Sequence, residues 1–150
     1  MSKKLQTGNV FSLPLCANPC VFGFGVVIRS NPGGTCFSDI YQYTNNRGGF
    51  SESLVQSDFA ITELIMNDAG IRENRWKIVR ADIWPNRMIE KRYYLIGFGS
   101  DVRVFDANLE EPERSADAEE LHRLPKLTMP FPQYTESYIR KYLRINCNEF

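Results

Sequence analysis

The chain predicts an α+β fold: a strongly bent, mostly antiparallel β-sheet or partial barrel of about seven strands, followed by C-terminal helices. Three observations predict it. Seven short segments rich in aliphatic and aromatic residues recur at regular spacing over the first two-thirds of the chain, separated by Gly-, Pro- and Asn-rich breaks, a pattern that favours a barrel or bent sheet. From residue 115 onward the spacing becomes helical behind capping residues. The 150 residues, 43% hydrophobic and 13% aromatic, fit one domain spanning 1–150 with a core of its own.

The first two strands are expected at 9–15 and 20–29, a hairpin joined near Asn18 and Pro19. Pro14 confines the first to an edge or to its own end, because it has no ladder donor. In the second, Gly23 and Gly25 alternate with Phe22, Phe24 and Val26. That leaves one face bare, against which a backbone or a bulky ring can lie. Asn31 to Gly34 (NPGG) is a turn signal. Strands follow at 35–43, 57–66 and 76–80, with a Gly-rich loop at 45–49 and a helical turn or loop at 67–74. A hairpin closes the run at 93–98 and 102–105. Residues 107–115 read as a linker. Ser115 caps a helix to Arg123 that Pro125 ends, Pro130 and Pro132 hold an extended stretch, and Thr135 caps a second helix to Arg144. The second helix carries a stripe of Tyr138, Ile139, Tyr142 and Leu143.

Formal net charge is zero, which argues against a duplex-DNA binder with its usual basic excess. No apolar run reaches the ~20 residues of a membrane span. Lys3 and Lys4 lack an apolar stretch behind them, so no secretory signal and a cytoplasmic protein are expected. The four cysteines, Cys16, Cys20, Cys36 and Cys147, are then expected to be reduced, although a Cys16–Cys20 bridge is conceivable.

Motifs for chemistry are sparse. The single histidine, His122, has no neighbouring nucleophile, and an exposed helix residue is its plainer reading. Cys16 and Cys20 have no second pair to complete a zinc site, so no metal is expected. Gly23 and Gly25 are followed by Ile28 where a dinucleotide loop has its third glycine, and no helix comes next, so no cofactor is expected either. No catalytic residue is assigned.

Charge, by contrast, is polarised. Residues 101–120 hold eight acids against two bases, a net of −6, and residues 72–92 hold seven bases against three acids, a net of +4. The acidic segment reads either as a solvated surface or as a docking surface for a basic partner. Arg75, Trp76, Lys77 and Arg80 supply the alternative of a small nucleic-acid-binding barrel, with Trp76 more simply a core anchor and Trp84 the better exposed ring.

A family resemblance follows from two stretches. Gly8 to Leu15 (GNVFSLPL), followed by Phe22 to Ile28 (FGFGVVI), is similar to the opening of the immunity protein 26 family, and Ile71 to Val79 (IRENRWKIV) is similar to that family's middle segment. The likeness thins out after about residue 106. Val26 stands where the family pattern has a basic residue. The resemblance implies a cytosolic, non-catalytic antidote of bacterial polymorphic-toxin or contact-dependent inhibition systems, with Phe11, Pro14, Gly23, Gly25 and Trp76 building the sheet. The implied partner is a cognate toxin domain, a basic nuclease, blocked by occlusion of its active site or substrate path. No membrane or direct nucleic-acid partner is expected, and the oligomeric state is left open. The expected contact residues are Asp106, Glu110, Glu111, Glu113, Asp117 and Glu120.

Overall fold

Five strands form the main sheet of the computed structural model, which describes residues 4–30, 34–85, 93–107, 111–126 and 131–147. They are β1 (Val10–Ala17), β2 (Cys20–Ser30), β3 (Thr35–Tyr41), β4 (Phe59–Asn67) and β5 (Lys77–Arg80), in the order β4-β3-β2-β1-β5, every neighbouring pair antiparallel. They belong to a first compact unit of residues 1–86 and 129–150, and residues 87–128 make a second.

Register explains why the glycines of β2 are where they are. Phe11 opposes Gly25 and Leu13 opposes Gly23. A Cβ on Gly25 would stand 2.7 Å from the Phe11 ring and 2.8 Å from Ile40 Cδ1, and one on Gly23 would stand 2.8 Å from Leu15 Cδ1. The bare face thus receives the bulky side chains of β1 and β3. Pro14 sits in an interior strand, but β5 pairs only with Val10, Phe11 and Ser12. Its missing N–H therefore falls beyond that ladder and costs no hydrogen bond.

Both faces of the sheet are buried. Phe11, Leu13, Leu15, Ile40, Met66 and Trp76 pack on one face with Ile71 of α2 (Ala69–Arg72) and Ile139 of α4 (Pro132–Tyr142). Val10, Phe24, Val26 and Tyr41 pack on the other with Leu54 of α1 (Glu52–Val55). Each fully buried aliphatic or aromatic side chain contributes about 1.5–3 kcal/mol. The second unit is a three-stranded antiparallel sheet, β6 (Tyr93–Ile96), β7 (Arg103–Asp106) and β8 (Arg114–Ser115), with helix α3 (Ala118–Arg123). Among the described residues the fold is α+β with two open sheets and no closed barrel. Seven of its strands lie where the sequence places them, and β8 and α1 are additions.

Both C-terminal helices begin elsewhere than expected. Ser115 lies in β8, and Asp117 caps α3: its carboxylate accepts from Glu120 N at 2.9 Å, while Glu120 Oε1 accepts from Asp117 N at 3.1 Å. This reciprocal box satisfies two orphan donors, which Ser115 could not do. α4 starts a turn earlier than Thr135, with Pro132 at its first position. Proline loses no hydrogen bond there and its φ is already helical. Pro130 and the 31–33 part of the predicted turn lie outside the described residues.

The cysteine expectation is also corrected. Cys16, at the end of β1, and Cys147, after α4, form a disulfide across 131 residues of sequence, leaving Cys20 exposed and Cys36 buried as free thiols. Burial pushes the Cys36 thiol up to about 12. No helix among the described residues is long and apolar enough to cross a membrane.

Candidate partner-binding surface

The predicted acidic residues gather in the second unit, but with different duties. Asp106, at the end of β7, is buried, and its carboxylate accepts from Glu111 N at 3.0 Å. Glu120 is buried too. Its two oxygens accept from Arg114 Nη1 at 2.8 Å and Nη2 at 2.5 Å. The Arg114 pair and the Asp117 amide hold the Glu120 carboxyl down to about 2. These two residues shape the unit. Glu111, Glu113 and Asp117 are exposed. Tyr93 donates its hydroxyl to Glu111 at 2.5 Å, Arg103 approaches Glu113 at 4.0 Å, and Asp117 caps α3. Glu110 lies outside the described residues.

The described residues of the basic segment serve the first unit, and Arg87, Lys91 and Arg92 lie outside the described residues. Trp76 is 2% exposed, stacks on Phe11 with centroids 5.9 Å apart and donates its indole N–H to Glu136 Oε2 at 2.9 Å. The ring on which a single strand would stack is in the core, as its anchor reading expects. Arg75 grips the same carboxylate with Nε on Oε2 and with Nη2 on Oε1 at 2.5 Å, which raises its own pKa further. Arg80 donates to Asp82 at 2.7 Å and lies 4.8 Å over the Phe50 ring. Lys77 is exposed. Trp84 is 69% exposed, with the face of its ring against Gly8. His122 stands exposed on α3, and no three His, Cys, Asp or Glu side chains converge as metal ligands among the described residues.

α4 is fastened along one flank. Glu136 holds Arg75 and Trp76, Arg140 Nη1 donates to Leu15 O at 2.9 Å, and the disulfide ties the segment after the helix to β1. Leu15, Arg75, Glu136, Arg140 and the bridged Cys16 and Cys147 line a cavity of about 620 Å³ between the hairpin turn and α4. Ile139 is buried, but Tyr138 and Tyr142, read from sequence as part of the same stripe, are exposed. With Phe131 and Tyr134 they make a row of four exposed rings. Sequence reasoning missed Phe131 and Tyr134. The signal was present as aromatics at steps of three, four and four residues.

The chain matches a family model described as immunity protein 26 over residues 6–103, a span that takes in the whole main sheet and the first two strands' glycine pattern. No curated protein and no solved structure matches it.

Proposed function

Because the chain belongs to the immunity protein 26 family, and is in that sense an immunity protein, we propose that it neutralises a cognate toxin domain by covering the toxin's active site or substrate path, without chemistry of its own. The family match carries the reading. Its physical support is the use to which the fold puts its reactive-looking groups. Arg75 and Trp76 both donate to Glu136, and Arg114 and the Asp117 amide both donate to Glu120. Groups so paired brace a surface rather than attack a substrate.

The finer reading is a toxin with nuclease activity, delivered by a polymorphic-toxin or contact-dependent inhibition system and met in the cytoplasm. A nuclease needs a basic groove for phosphates, and an acidic surface can occupy it. The acidic segment is the contact surface in this reading, with Glu110, Glu111, Glu113 and Asp117 meeting the partner, while Asp106 accepts from Glu111 N and Glu120 from Asp117 N.

The test is protection. Cells induced to make the toxin domain of the adjacent reading frame should survive when this chain is made beforehand and die when it is not. Equal killing with and without the chain would refute the assignment.

A further inference from the structure

The two flanks of α4 are unlike. One is tethered to the sheet through Glu136 and Arg140 and, past the helix, through Cys147. The other carries Phe131 at 71% exposure, Tyr134 at 67%, Tyr138 at 50% and Tyr142 at 56%. At 3.6 residues per turn and 1.5 Å rise, these four fall in a line roughly 16 Å long. Rings of Phe131 and Tyr134 lie 6.2 Å apart, and those of Tyr138 and Tyr142 lie 6.3 Å apart.

Such a ridge has the properties of a binding anchor. Aromatic side chains dominate interface energetics and concentrate at the residues that carry most of the affinity. Paired rings on a helix already fixed to its sheet lose little freedom on association. Taking 150–250 Å² per ring, the exposed part of the four is on the order of 500 Å², more than half of the ~800 Å² per partner of a stable complex. Charge narrows the partner. The sole acid of the helix, Glu136, is buried, and the exposed charges on it and just past it, Lys141 and Arg144, are cationic.

We propose that the aromatic flank of α4 is a second, anchoring surface for the toxin domain besides the acidic segment, and that it docks an apolar patch of the toxin carrying a carboxylate opposite Lys141 and Arg144. The proposal rests on the immunity reading and deepens it, placing the affinity in Phe131, Tyr134, Tyr138 and Tyr142.

The probe is the toxin domain of the adjacent reading frame, inactivated by substitution of its own catalytic residue, with binding kinetics measured for the full chain and its variants. Tyr134→Ser combined with Tyr138→Ser should weaken binding at least about 30-fold, mainly through faster dissociation. Tyr138→Phe, which keeps the ring, should bind like the parent. Lys141→Glu should slow association several-fold at low salt. Melting temperature of the double variant should stay close to the parent's, since both rings are at least half exposed. If the parent binds and the double variant binds equally well, the ridge proposal falls while the immunity reading stands. If the parent does not bind the domain at all, the reading falls and takes the proposal with it. Concentration-dependent self-association of the parent that the double variant abolishes would assign the ridge to a second copy, and a lowered melting temperature would assign it to the chain's own packing; either result overturns the proposal.

Discussion

Trp76 donates its indole N–H to Glu136 at 2.9 Å, a bond that spans 60 residues of sequence and ties α4 to the strand beside it. Both partners are buried, and Arg75 closes on the same carboxylate from its more exposed side. Replacing Glu136 with alanine leaves the Trp76 donor without an acceptor in the core and should cost about 1–3 kcal/mol. Glu136→Gln keeps an acceptor and should cost less. Denaturant midpoints at unchanged m-value measure both, and equal stability of Glu136→Ala and parent would contradict the tether.

Thiol chemistry follows from the disulfide. Iodoacetamide should label Cys20 alone in the native protein, because Cys36 is buried with its thiol pushed up to about 12 and Cys16 is joined to Cys147. Denaturation without reductant should add Cys36, and denaturation with reductant should add Cys16 and Cys147. Mass spectrometry counts the adducts. Reduction should lower stability by about 2–4 kcal/mol, the usual range for a bridge that closes a long loop. Reducing compartments keep thiols open, so the same labelling in intact cells reports where the chain resides. Four labelled cysteines in the unreduced, denatured protein would contradict the pairing.

Acid should loosen α3 through Glu120. Its carboxyl lies at about 2 in the folded unit and at the ordinary 4.5 when unfolded. As pH falls below 4.5 the unfolded form takes up a proton first, so the stabilisation, complete above that pH, declines until about pH 2. Amide-exchange protection in α3 should fall across that window in the parent. Glu120→Gln should start lower and show a flatter slope; an identical slope would place the titration elsewhere.

Charge reversal tests the acidic segment. Glu111→Lys with Glu113→Lys, both exposed and neither a helix cap, should slow association with the toxin domain several-fold at low salt and weaken its salt dependence. Dissociation should change little, because rim charges act mainly on encounter. Unchanged association kinetics would remove the segment from the interface.

Local rules carried the sheet. Alternation in 9–15 and 20–29, glycines two apart and turn residues between strands each state a local geometric requirement, and Phe11 over Gly25 is that requirement met. The helix starts were legible with a stricter rule. Asp117 has a glutamate three residues on and Ser115 has Ala118, and Pro132 fits a first turn better than an extended stretch. The Cys16–Cys147 pair was not legible, because nothing local links residues 131 apart. Nor was the exposed ridge. Tyr138 with Tyr142 and Ile139 with Leu143 share one spacing, and only packing decides which pair is covered. The acidic segment was legible as charge, but the burial of Asp106 and Glu120 depends on Glu111 and Arg114 folding back on them.

Stoichiometric inhibition by surface contact is tested most directly by titration. A fixed amount of active toxin domain is mixed with increasing amounts of the chain, and residual toxin activity is read at equilibrium. Activity should fall linearly to zero at one equivalent and return when the complex is denatured and the toxin refolded alone. Loss of activity at a small fraction of an equivalent, increasing with time, would mean that the chain turns the toxin over as a substrate and would contradict the account.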